Sequence, residues 1–438
     1  SSHLIDRYLG KISTTSQEHI RQGFSLAIAS LSSKMLLRSN TINKIIDCLF
    51  NLITITNQTQ HLIKQRKDTL IALCNLYENI HLDSLSPFSN QDIINKLINL
   101  YLRCTRDYTN DRFGDSGRLV REIACTQLVR LLKLINENNQ NKHFLNLTIL
   151  HNCFRSILTN LCSKIDDLRM ISGKALIEFL NIKFEQTIEH KNDIEKIFLN
   201  QNDIDWRNSQ IVFTLIVQLL IYDKYRYVIW LNCLITAGEL SNASQALYIY
   251  LITHKTNNNL INILLNDLEK IFNNKQQLQL RIIIPCIQAC ERLLSQSTFQ
   301  YYYEKYSNEF IQHWINIIKL LEDILIKKLQ ILNNNPTLYL HFIKLYCSLL
   351  QFNNIELRNL ILKLLTNFFL HNYPWVRRQA AQNLYDTLIM FNDDLFSNDN
   401  DDDKSEQVMN LLSETDWEQN LDELTTIRQT LLNLFHIE

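Results

Sequence analysis

The sequence predicts an all-α protein, an α-solenoid of HEAT/armadillo-like helical repeats. Three observations point there. Glycine (6) and proline (4) are scarce in 438 residues, well below average usage, and sheets need glycines at their turns. Apolar residues, 46% of the chain, fall at 3-and-4 spacing and seldom alternate, which is helical periodicity. An apolar–Arg–x–x–small–x–x–x–Leu pattern also recurs along the chain.

The recurrence is clearest at Val120-Arg121 with Ala124 and Leu128, Leu168-Arg169 with Ser172 and Leu176, and Val376-Arg377 with Ala380 and Leu384. Looser copies carry Arg21, Arg66, Arg226 and Arg281; Gln65 stands where the apolar residue would precede Arg66. Successive arginines are 45, 55, 48, 57, 55 and 96 residues apart, the last step being about two units. A period near 40–50 residues is that of two-helix HEAT or armadillo units. In stacked repeats such an arginine can bridge to an aspartate in the turn of its own or the next unit, and Asp115 and Asp167 are placed for this. Contact with a partner is the alternative role.

In order, helical pairs are expected over 4–9 with 19–37, and over 41–54 with 58–79. Pro87 breaks the chain within 84–90. A helix over 92–103 uses Ile94, Leu97, Ile98 and Tyr101. The polar stretch 107–117 follows, bearing Gly114 and Gly117, and a helix then starts with Val120, Ile123, Ala124, Leu128, Leu131, Leu132 and Ile135 on one face. Asp115 or Ser116 is expected to cap it. Further helices are expected over 144–162, 166–180, 193–199, 208–222, 225–240, 244–254, 260–272, 278–295 and 299–332. Others follow over 338–352, 355–371 and 374–391, with Pro374 suited to a first turn. The organisation read is a repeat array over 1–391, an acidic disordered loop over 392–406 and C-terminal capping helices over 407–438. In the cap, Thr415 and Glu418 form an expected capping box, with Trp417, Leu421, Leu424 and Ile427 as the apolar face.

Chemistry-bearing motifs are few. The formal net charge of −1 gives no global basic field for nucleic acid. The longest apolar run, Ile211 to Tyr222, contains Gln218 and is too short to span a bilayer. Ten cysteines lie scattered without a CxxC pair, as reduced core residues of a cytosolic protein would. Cys286 and Cys290 stand four apart with no histidine near, which suits core packing better than metal. Gly114-x-x-Gly117 lacks the Lys-Ser/Thr of a phosphate loop. His143 and His151 flank an apolar run, and Tyr301 to Tyr303 reads either as core or as an exposed aromatic anchor. The chain has no initiating Met and is taken as a piece of a longer protein. These residues point to a binding scaffold and not to an enzyme.

The stretch from Asp107 to Glu122, DYTNDRFGDSGRLVRE, resembles the signature Asp-Tyr-Thr-x-Asp-x-x-Gly-Asp-x-Gly-x-x-Val-Arg-Glu of the tubulin-folding cofactor D (tubulin-specific chaperone D) family. Arg21 to Phe24 with Ala27, Pro374 to Leu388, and Leu412 to Trp417 resemble flanking segments of that family in order and approximate distance. The resemblance covers the family's C-terminal portion. It implies a HEAT-repeat chaperone that captures β-tubulin and helps join it to α-tubulin. It further implies sister cofactors C and E and an Arf-like small GTPase as partners, with GTPase activation of tubulin inside that complex. No cofactor, metal, catalytic residue, nucleic-acid contact or membrane insertion is implied, and the location is cytoplasmic, with the centrosome a further family site. The candidate partner-binding residues are Asp107, Tyr108, Thr109, Asp111, Arg112, Gly114, Asp115, Gly117 and Arg121. A transport receptor or phosphatase scaffold is the alternative reading.

Overall fold

The computed structural model describes residues 2–14, 17–38, 42–54, 62–83, 86–112, 114–200, 203–274, 279–395 and 402–437. Among these are 23 α-helices and one short β-hairpin. The chain forms two compact units, Ser1–Ile229 and Trp230–Glu438.

In the first unit the arginine-bearing helices stack one on the next. Glu18–Ala29 packs on Ile63–Ile80, that on Arg118–Glu137, and that on Asp166–Asn181. A second layer lies against them: Ile42–Ile53, Gln91–Cys104 and Leu147–Leu161 each pack on one arginine helix. Because the inner helices of the first layer have neighbours on several sides, Ile63–Ile80, Arg118–Glu137 and Asp166–Asn181 bury more than a single apolar stripe. In Arg118–Glu137 the buried set includes Cys125 and Val129 besides the expected Val120, Ala124, Leu128, Leu131, Leu132 and Ile135, while Ile123 is only half-buried. At about 25 cal/mol per Å² of apolar surface, this double-sided burial is what holds the stack.

The second unit repeats the plan. Leu280–Ser295, Tyr339–Leu349 and Pro374–Leu395 stack in one layer. Asn258–Asn273, Ser307–Lys327, Ile355–Phe368 and Leu421–Leu434 make contacts along the other. Tyr339–Leu349 sits between the helices of Arg281 and Arg377 and contains no arginine. That accounts for the doubled spacing between those two arginines.

Several local expectations are corrected. The span 299–332 is three helices, Gln300–Lys305, Ser307–Lys327 and Leu329–Asn334, broken at Tyr306 (φ −134°, ψ 44°) and Lys328 (φ −107°, ψ 12°). Tyr306 stacks on Tyr302 and its hydroxyl accepts from the Asn258 amide, so tertiary contacts override helix continuity. Thr415 makes no capping box. Its hydroxyl donates back to the Leu411 carbonyl at 2.5 Å, and Asn420 caps the last helix by accepting from the Asp422 N–H at 2.7 Å. Trp417 lies between the two last helices, buried, and does not belong to the face of either. Leu424 is buried as expected, but Leu421 is 40% exposed. Helices Pro374–Leu395 and Asp402–Glu414 reach into the 392–406 stretch expected to be irregular, and residues 396–401 lie outside the described residues.

All ten cysteines are free thiols, nine buried and Cys48 half-buried. Among the described residues no helix is long and apolar enough to cross a membrane, and no group of three or more His, Cys, Asp or Glu could hold a metal ion.

Candidate functional site

Gln91–Cys104 ends in a turn in which the Arg106 and Asp107 N–H groups donate to the Arg103 and Cys104 carbonyls. The chain then rises into a hairpin, β1 (Asn110–Asp111) against β2 (Gly114–Asp115), with Asn110 opposite Asp115 and Asp111 opposite Gly114. Gly114 has φ +107°, a conformation that glycine adopts without a Cβ penalty. Phe113 lies outside the described residues.

Two buried arginines fix the base of this hairpin. Arg66, from Ile63–Ile80, donates through Nε (3.1 Å) and Nη2 (2.8 Å) to one carboxylate oxygen of Asp107, and through Nη2 to the Thr109 hydroxyl at 3.2 Å. The other Asp107 oxygen accepts from the Thr109 N–H at 3.0 Å and its hydroxyl at 2.6 Å, which is an Asx-type turn. Arg121, from Arg118–Glu137, grips Asp115 fork to fork at 3.1 and 2.6 Å and donates to the Asp107 carbonyl at 2.6 Å. Such paired, charge-assisted bonds are both stronger and geometrically more selective than single neutral ones. The Arg121 guanidinium carbon also lies 4.5 Å from the centre of the Tyr108 ring, within cation–π range.

Gly117 closes the base. Its N–H donates to the Thr109 carbonyl at 2.8 Å. A Cβ there would stand 2.4 Å from the Asp107 carbonyl oxygen and 2.7 Å from the Thr109 nitrogen. Only glycine lets the two ends of the loop touch.

The helix after the hairpin lacks the expected side-chain cap. Gly117 is its N-cap, Asp115 is committed to Arg121, and the Ser116 hydroxyl donates to the Thr109 carbonyl at 3.2 Å. Arg121 is 2% exposed, and a buried guanidinium needs a carboxylate far more than a solvated helix end needs a cap.

The nine candidate residues therefore divide. Asp107, Gly117 and Arg121 are buried, and Thr109 and Asp115 are half-buried members of the same frame. Tyr108, Asp111, Arg112 and Gly114 are exposed on the hairpin. Asp115 serves Arg121 as expected. Asp167 does not serve Arg169: it pairs with Arg207 at 2.9 Å, and Arg169 takes Asp166 at 2.6 Å.

Sequence reasoning missed the partner of Arg66. Arg66, Arg169 and Arg377 each reach forward into a loop 41, 38 and 40 residues on: to the Asp107 carboxylate, the Arg207 carbonyl and the Trp417 carbonyl. The repeating distance was the only available signal. Arg281 departs from the rule, being exposed and bonded to the Gln279 side chain two residues before it.

Of the other singled-out residues, His151 is buried and shares a 2.9 Å hydrogen bond with the Tyr225 hydroxyl. Burial lowers its pKa, so its 3.8 Å approach to Glu189 is not a charge pair at neutral pH. Tyr302 is core, Tyr303 donates to the Asn353 carbonyl at 3.0 Å, and Tyr301 lies beside Lys255 and Lys305.

The fold and this loop together define an all-α helical-repeat protein carrying a polar hairpin locked by buried arginines. Its sequence narrows the class further, since the chain carries a portion like the C-terminal part of tubulin folding cofactor D. Residues 151–322 match the family profile described as Tubulin folding cofactor D C terminal. The chain is 24% identical over 386 residues to the tubulin-specific chaperone D of Dictyostelium discoideum. That alignment takes in 79% of this chain and 25% of the relative, so the chain spans about a quarter of that protein's length. Among solved structures, Kap121p bound to Nup53p matches at 10% identity, covering 98% of this chain and 54% of that one, with a TM-score of 0.26. The karyopherin Kap121p bound to the SUMO protease Ulp1p matches at 11%, covering 99% and 53%, also at 0.26. At those scores the likeness carries no functional weight.

Proposed function

We propose that this chain is part of a tubulin-folding cofactor that acts as a non-catalytic scaffold. It binds β-tubulin and helps assemble the αβ-tubulin heterodimer in the cytoplasm. It does so with sister cofactors C and E and an Arf-like small GTPase, contributing surface to GTPase activation of tubulin. The observation that carries the reading is the 386-residue alignment to a tubulin-specific chaperone D. The arrangement of the Asp107–Arg121 loop supports a contact role for its tip. The buried arginines hold the base, while Tyr108, Asp111 and Arg112 are exposed on the hairpin. A rigid loop presenting polar and aromatic groups binds without a large ordering cost.

The test is capture of β-tubulin, cofactors and the Arf-like GTPase from cytosol by this chain. It is run beside the Asp111→Ala/Arg112→Ala variant with melting temperatures recorded. Capture by the parent and loss in the variant at unchanged melting temperature is the expected result. Capture of none of these proteins by the parent overturns the reading. Equal capture by the variant removes the hairpin tip from the interface.

A further inference from the structure

We propose that the base of the hairpin is a docking surface for an acidic protein segment, one bearing several aspartate or glutamate side chains. This deepens the scaffold reading of the same loop and rests on it for the loop's contact role.

The surface is built by subtraction of charge. Between residues 103 and 118 the chain has four arginines, Arg103, Arg106, Arg112 and Arg118, and three aspartates, Asp107, Asp111 and Asp115. All four arginines are exposed. Two of the three aspartates are spent inward: Asp107 on Arg66, with both side chains 1% exposed, and Asp115 on Arg121. Only Asp111 presents its carboxylate at the surface as an exposed residue. The arginines that neutralise Asp107 and Asp115 come from within the fold, so these two acids do not offset Arg103, Arg106 and Arg118.

The backbone groups them. Gly117 touches the Asp107 carbonyl so closely that no Cβ fits between. The backbone that flanks the hairpin base is thereby drawn together, with Arg106 next to Asp107 and Arg118 next to Gly117 in the chain. The Arg106 N–H donates to the Arg103 carbonyl at 3.0 Å, which brings Arg103 into the same turn. Arg103, Arg106 and Arg118 make no ion pair among the described residues. The nearest acid inside the helix is Glu122, half-buried, with Arg118, Asp167, Arg121 and Lys67 around it, and Asp167 is itself paired with Arg207. The start of Arg118–Glu137 has no acid in its first turn, so the positive end of the helix dipole adds to the same field.

Guanidinium groups recognise carboxylates through two parallel N–H bonds. A cluster confined to one turn and one helix start, in a chain of net charge −1, fits a short acidic segment and not an extended polyanion, which a basic stripe would serve.

The experiment measures anisotropy of a dye-labelled oligoglutamate peptide with this chain and with an Arg103→Ser/Arg106→Ser/Arg118→Ser variant. Oligolysine and single-stranded oligothymidylate serve as controls, and circular dichroism and melting establish that the variant is folded. The expected result is binding of oligoglutamate that weakens about tenfold or more in the variant. Binding should also weaken as salt rises from about 50 to about 300 mM. No binding of oligoglutamate, equal binding by a folded variant, or tighter binding of oligothymidylate would overturn the proposal. β-tubulin capture that depends on Asp111 and Arg112 alongside a negative oligoglutamate result would sink this inference and leave the scaffold reading standing.

Discussion

Arg66 and Asp107, 41 residues apart in sequence, form an ion pair at 2.8 Å in which each side chain is 1% exposed. It ties Ile63–Ile80 to the loop of the following repeat. Breaking a buried pair by removing one partner strands a charge in the interior and costs about 3–5 kcal/mol. Arg66→Ala and Asp107→Ala should each lower stability by that order in urea denaturation. Arg66→Met/Asp107→Leu should lose less than the sum of the singles, because no charge remains. Additive losses would show that the two groups do not depend on each other.

Gly117 and Gly114 should respond differently to alanine. At Gly117 the new methyl meets backbone atoms at 2.4 and 2.7 Å, so the loop must open and Asp107 leave Arg66. A loss comparable to breaking that ion pair is expected in the melting temperature. At Gly114 nothing lies within 4 Å of an added Cβ, and only the φ of +107° is unfavourable. The cost there should be about 1–2 kcal/mol. Equal losses at both sites would contradict the close contact at Gly117.

Acid should destabilise the protein through buried His151 and half-buried His341 and His371. Burial is the first cause lowering the pKa of His151, His341 and His371. An unfolded histidine titrates near 6.5. Below that pH the unfolded chain binds protons that the folded chain resists, so stability is full above about 6.5 and falls as pH drops. The urea midpoint should therefore be lower at pH 5.5 than at 7.5. His151→Gln, which keeps an acceptor for the Tyr225 hydroxyl, should lessen that drop, whereas an unchanged drop would mean that His151 protonates freely in the fold.

Thiol labelling should separate one cysteine from nine. Burial pushes Cys74, Cys104, Cys125, Cys153, Cys290 and Cys347 up to about 12. Attack requires the thiolate. Burial raises the Cys48 thiol too, but Cys48 is only half-buried and so within reach of a reagent, and it should react first with a disulfide reagent under native conditions. The other nine should react only on unfolding. Rapid labelling of any buried cysteine would reveal local opening of its repeat.

Helix content, the two-helix period and the special character of residues 107–121 were legible in the sequence, because they rest on local chemistry. Scarce glycine and proline exclude most alternatives to helix. Apolar periodicity reports which residues face a neighbour, and Val120, Ala124, Leu128 and Leu132 are all buried. Repeated Arg positions mark repeated environments, and Asp115 near Arg121 in sequence was enough to suggest their pairing. What the tertiary structure decided is where the charges go. Asp107 turned to Arg66 from the preceding repeat, Asp166 and not Asp167 took Arg169, and Trp417 left its expected helix as Arg377 donated to its carbonyl at 2.6 Å. These choices are set by the free energy of burying a guanidinium, which must find every acceptor within reach. Sequence spacing cannot show which acceptors the packing of neighbouring repeats will bring there.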